Sequence, residues 1–192
     1  MTSLTREDIG QDLSLLKDSI TNNELLLASP FAAIKLSSIL PLFYMGIYGM
    51  AIYWRWCFYV PMDDAFGDTI SFSNFMSSEI GFSAFGFVFT IAIAASLYGP
   101  ALLYLSIPRH VREKSVVLKK MKSLIKRMAI IAVFINVVVA VIGATWIVEA
   151  LSVAPFVMML SFFVMQWIVS AELTRYGISP VMKKLSALVK KI

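Results

Sequence analysis

Four long stretches without charge limit what this chain can become more than any other feature. No Asp, Glu, Lys or Arg occurs from Gly81 to Ile107 or from Met128 to Val148, and after Lys35 the next charge is Arg55. A further apolar run ends at Ala171, just before Glu172. A run of about 20 residues makes about 30 Å of helix, the thickness of a bilayer's hydrocarbon core. No water is available there, so each backbone N–H and C=O must be satisfied within the segment, which favours helices. Met128 to Val148, rich in Ile, Val and Ala, would pass for a buried strand if it were shorter; its length decides for a helix. Composition agrees. The chain is 59% hydrophobic and 15% charged, against roughly 45–50% and 25% in soluble domains. The predicted fold class is therefore all-α: a polytopic membrane protein with four transmembrane helices.

These spans are expected at about 36–59, 81–107, 128–148 and 152–171, within a membrane domain covering 31–176. Trp54, Trp56 and Tyr59 surround Arg55 where an aromatic belt belongs, and Arg55 is expected to extend its head to the interface. Gly99 and Pro100 predict a kink or tilt late in the second span. Pro155, shortly after Glu149, suits the start of the fourth span, so the third and fourth form a tight helical hairpin.

Orientation follows from the basic residues. Arg109, Arg112, Lys114, Lys119, Lys120, Lys122, Lys126 and Arg127 crowd one connection, whereas residues 61–79 contain no Lys or Arg. The positive-inside rule places the basic connection and both termini in the cytoplasm and the acidic loop outside. Two flanking segments have helical pattern. In residues 1–30, Ile9, Leu13, Leu16 and Ile20 recur three and four apart behind Thr5 and Asp8, which predicts an amphipathic helix with an acidic polar face. In residues 177–192, Pro180 follows Ser179, and Val181, Leu185, Leu188 and Ile192 form a stripe opposite four lysines. This predicts a basic amphipathic helix on an anionic leaflet. Val117, Met121, Leu124 and Met128 continue the helical period backward from the third span. The acidic start lacks the charge and short apolar run of a cleavable signal, so the N-terminus is expected to be retained.

Little points to catalysis. Cys57 is the single cysteine and His110 the single histidine, so no disulfide framework and no His/Cys metal site is expected. His110 lies among Arg109 and Arg112 with only Glu113 to orient it, and no nucleophile or phosphate-loop motif occurs. No enzyme activity and no cofactor are expected. Asp63, Asp64 and Asp68 do not have the spacing of a calcium loop. With Phe66, Phe72 and Phe75 they form an outer loop suited to meeting a protein partner. Arg109, Arg112, Lys119 and Lys120 are candidates on the other side; such clusters beside spans contact membrane lipid rather than nucleic acid. Within the spans, Asn136 and Gln166 fall at similar depth and are expected to pair across helices. Small residues at Ala95 and Gly99, at Ala140, Gly143 and Ala144, and more weakly at Gly46 and Gly49 predict close packing, within one chain or in an oligomer.

The acidic start TREDIGQDLSLLKDSI, the four spans, the basic segment PRHVREKSVVLKKMKSLIKR and the lysine-rich tail after AELTRYGISP together resemble the small inner-membrane entry-exclusion proteins of F-like conjugative plasmids. That resemblance implies a noncatalytic protein of the bacterial inner membrane that recognises the donor's mating-pair stabilisation protein and blocks redundant DNA transfer. Bacteriocin immunity proteins and phage superinfection exclusion proteins are similar at this level. An accessory subunit of a membrane complex or a small transporter are readings from other classes.

Overall fold

The computed structural model describes residues 6–21, 28–63 and 66–176. Their regular elements are helices: α1 (Arg6–Thr21), α2 (Pro30–Cys57), α3 (Phe72–Phe75), α4 (Ser77–Ser106), α5 (Arg109–Lys114), α6 (Val116–Thr145) and α7 (Ala150–Arg175). Among the described residues there is no strand beyond one isolated bridge, Asp63 with Thr69. Helices α2, α4, α6 and α7 are each long and apolar enough to cross a membrane. They correspond to the four expected spans, each beginning a few residues earlier. The greatest extension is in α6, which starts at Val116 as the periodicity of Val117, Met121 and Leu124 suggests. The expected C-terminal amphipathic helix lies outside the described residues.

Large apolar side chains cover the outside of these helices. Trp167 is 77% exposed and Trp146 79%, in company with Phe31, Phe43, Met50 and Phe134. Exposed apolar side chains of this size and number are compatible with contact with membrane lipid.

The chain divides into two units, and each long helix gives a stretch to both. One unit comprises Ser38–Ala95 and Ile130–Phe163. Its apolar core joins Tyr48, Ala51, Met76, Ala140, Leu151 and Ala154. At its polar centre is Asn136, 0% exposed. The Tyr48 hydroxyl donates to Asn136 Oδ1 at 2.8 Å. Asn136 Nδ2 donates to the Ala132 carbonyl at 2.8 Å and to Ser161 Oγ at 3.3 Å. One carboxamide thus ties α2, α6 and α7 together.

Close backbone approach falls on two glycines. A Cβ on Gly143 would lie 2.6 Å from Leu151 Cδ2, so α6 can turn into α7 this tightly only because residue 143 lacks a side chain. A Cβ on Gly86 would meet Pro155 Cγ at 3.3 Å. Gly46, Gly49 and Gly99 have nothing within 4 Å of a built Cβ, and Ala95 is exposed. Their spacing permits close approach, and among the described residues the space beside these glycines is open. The Gly143 carbonyl also accepts from Arg55 Nε at 2.9 Å. Arg55 therefore does not simply extend to an interface as expected. It closes on the last turn of α6, where unsatisfied carbonyls and the helix dipole favour a cation.

The second unit is formed from Met1–Ser37, Ser96–Ala129 and Val164–Ile192. Val117 and Met121 are buried in it and pack with Leu124, Val169, Leu173 and Tyr176. This contact gives the first turns of α6 an apolar face despite their many lysines. On the exposed surface of α7, Arg175 Nη1 pairs with Glu172 at 3.2 Å.

Gly143→Ala is expected to cost about 1–3 kcal/mol through overpacking, read as a lower melting temperature of the purified protein in detergent. In a Leu151→Ala background the same change should cost less, because the side chain it strikes has gone. An equal cost in both backgrounds would place the strain elsewhere.

Candidate functional site

The basic connection is organised by a helix start. Helix α5 ends at Lys114, and Ser115 takes an extended conformation with φ −59° and ψ 116°, as an N-cap residue does. The first four N–H groups of a helix have no partner within it. Here the Lys119 amide donates to the Ser115 carbonyl at 3.2 Å, and the Leu118 amide to Ser115 Oγ at 3.1 Å. That leaves Val116 and Val117. A capping-box Glu or Gln at the third helical position would reach only the N-cap amide, which here already donates to the Val111 carbonyl at 2.9 Å.

The missing acceptor comes from α1. Asp12 Oδ1 accepts from the Val116 amide at 3.1 Å. Asp12 Oδ2 accepts from the Val117 amide at 2.8 Å and from the Ser115 hydroxyl at 2.6 Å. A carboxylate at this position also lies at the positive end of the α6 dipole. Asp12 is 7% exposed and Ser115 0%. Asp12 is therefore not part of a solvated acidic face, as the periodicity of α1 suggests, but the buried tie between α1 and the basic connection. α1 also packs against α5.

Around that tie the expected basic residues separate by environment. Arg109 and Lys119 are exposed, whereas Arg112 and Lys120 are half-buried. The Arg112 guanidinium carbon lies 4.9 Å from the centre of the Tyr104 ring, a cation–π distance. Its Nε is buried and has no hydrogen-bond partner among the described residues.

The other expected surface is the loop between α2 and α4. It turns back on itself, with the Ile70 amide donating to the Met62 carbonyl at 2.8 Å and Gly67 adopting φ 85° at the bend, a conformation that L side chains rarely take. The Tyr59 hydroxyl donates to the Ile70 carbonyl at 2.6 Å. The Tyr59 ring lies 5.4 Å from those of both Phe72 and Phe75. Those two phenylalanines hold the loop to the segment just after α2, with Phe72 half-buried and Phe75 exposed. Phe66, by contrast, is 91% exposed. Asp63 and Asp68 are exposed, with Thr69 Oγ1 donating to Asp63 at 3.4 Å. Asp64 lies outside the described residues.

No known protein family, curated protein or solved structure matches the chain.

The expected pairing of Asn136 with Gln166 is replaced by one with Ser161, nearer the start of α7, and with Tyr48 on α2. Depth along the helix axis brings Gln166 to mind, but hydroxyls already at hand satisfy the carboxamide. Sequence reasoning also missed Asp12 and Glu79. Glu79 is 5% exposed in the first turn of α4 and accepts from Ser152 Oγ at 3.2 Å. One signal for Asp12 was present: Ser115 begins a helix whose own sequence cannot satisfy its amides. Among the described residues no group of three His, Cys, Asp or Glu side chains could hold a metal ion.

Replacing Asp12 with Ala removes two acceptors from the start of α6, a loss of about 0.5–2 kcal/mol for a cap. Hydrogen exchange at the Val116 and Val117 amides should accelerate while exchange in the middle of α6 stays unchanged. Unaltered protection of those two amides would show that Asp12 does not cap the helix in solution.

Proposed function

We propose that this protein is a noncatalytic membrane recognition protein of the entry-exclusion kind. It stands in the inner membrane of a recipient bacterium with the basic connection and both termini in the cytoplasm. There it binds the donor's mating-pair stabilisation protein and so prevents redundant DNA transfer. The observation that carries this reading is the bonding of Asp12 to Ser115, Val116 and Val117. Two segments about a hundred residues apart, the acidic start and the basic connection, thereby become one fixed surface. Exposed Glu7 and Asp18 on α1, with exposed Arg109, Lys114 and Lys119, give that surface both signs of charge, which favours selective docking over general attraction.

The four long helices hold this surface at the membrane. Several polar groups along them have structural partners: Asn136 joins three helices, and Thr90 Oγ1 donates to the Gly86 carbonyl at 3.0 Å. On this reading the activity is binding outside the lipid.

A mating assay tests the proposal. Transfer into recipients expressing the protein should fall severalfold relative to recipients without it. Asp12→Ala, present at the same level in the membrane, should restore much of the transfer, because the two segments no longer share one geometry. Equal transfer into recipients with and without the wild-type protein would refute the exclusion reading.

A further inference from the structure

We propose that a cleft between the end of α4 and the α5–α6 junction is a binding site for the phosphate of an anionic membrane phospholipid. This goes beyond recognition of a protein partner and does not depend on it. The cleft, about 390 Å³ in volume, is lined by Arg109, Arg112, Lys119 and Lys122 together with Tyr104, Leu118 and Glu113. Four cations thus face one carboxylate, and that carboxylate, Glu113, is solvent-exposed. A concave site with so strong an excess of positive charge focuses the field on an anion.

One of the four cations is set in advance. The Arg112 guanidinium carbon lies over the Tyr104 ring, 4.9 Å from its centre, a cation–π contact that limits where the side chain can go. The Arg112 side chain also lines the cleft, and a phosphate oxygen suits the planar donor fork of arginine.

The position of the cleft favours a lipid over a soluble phosphate. Tyr104 lies in the last turn of α4, a helix apolar enough to cross a membrane, so the cleft falls where hydrocarbon gives way to headgroups. Tyr104 and Leu118 supply apolar walls that add nothing to binding of a small soluble anion. Against the glycerol and first methylenes of a lipid they add contact. Basic pockets at this depth suit anionic headgroups.

The full-length protein, purified in a neutral detergent, is titrated with phosphatidylglycerol, with phosphatidylcholine or with inorganic phosphate, and its melting temperature is followed. Phosphatidylglycerol should raise the melting temperature well above the effect of phosphatidylcholine, and inorganic phosphate should have little effect. Lys119→Gln with Lys122→Gln should raise the half-effective phosphatidylglycerol concentration about fivefold per removed cation. Lys126→Gln with Arg127→Gln, an equal charge change outside the cleft, should leave it nearly unchanged. Arg109→Gln, at an exposed position, gives an independent check and should also weaken the effect. Equal stabilisation by phosphatidylglycerol and phosphatidylcholine would overturn the proposal. A full effect from inorganic phosphate alone would refute a lipid source, and equal losses in the two double variants would show diffuse attraction in place of a site.

Discussion

Four helices are long and apolar enough to cross a bilayer, where no water is available, and the rest of the structure answers to that constraint. A polar group inside such a segment has no solvent to fall back on, so it must bond within the protein or be removed. Ser37, Thr90, Ser106 and Thr145 each turn a hydroxyl back to a carbonyl of the preceding turn. Asn136, with more groups to satisfy, draws partners from two other helices. A residue that would be costly alone thereby fixes which faces of α2, α6 and α7 meet. Glycine serves the same end at Gly143 and Gly86, where backbone approach is limited only by Leu151 and Pro155.

The same constraint drives formal charge toward the helix ends, and there it is used. Helix α6 receives a carboxylate from Asp12 at its first turn and a guanidinium from Arg55 at its last. Both complement the helix dipole and occupy backbone groups that the helix itself leaves unpaired. The basic connection is thus more than a run of retention charges. Asp12 caps the helix start within it, the Tyr104 ring lies under Arg112, and exposed Arg109 and Lys119 belong to the same connection.

Much of the fold was legible in the sequence because charge spacing and hydrophobic length act on whole segments. The four uncharged runs located α2, α4, α6 and α7, and the period of Val117, Met121 and Leu124 located the early start of α6. Individual contacts were less legible. Gly46, Gly49 and Gly99 have the spacing of a packing face, but a Cβ built on them meets nothing within 4 Å among the described residues, whereas one on Gly143 would strike Leu151. Asn136 announced a polar contact, yet its partners are hydroxyls, which sequence patterns do not separate from other serines and tyrosines. Asp12 could not be told from Glu7 or Asp18 by period. Only the geometry of the α5–α6 junction, more than a hundred positions on, makes it different. Phe72 and Phe75 were legible as aromatic but not as ligands of Tyr59.

We propose that the four helices cross a bilayer, with the basic connection on the inner side and the loop around Phe66 on the outer. Single cysteines in place of Phe66 or Lys119, in a Cys57→Ser background, can be tested with a membrane-impermeant maleimide on intact cells and after the inner membrane is opened. The account predicts that the Phe66→Cys protein reacts in intact cells and that the Lys119→Cys protein reacts only after opening. Reaction of Lys119→Cys in intact cells, with Phe66→Cys protected until opening, would contradict it.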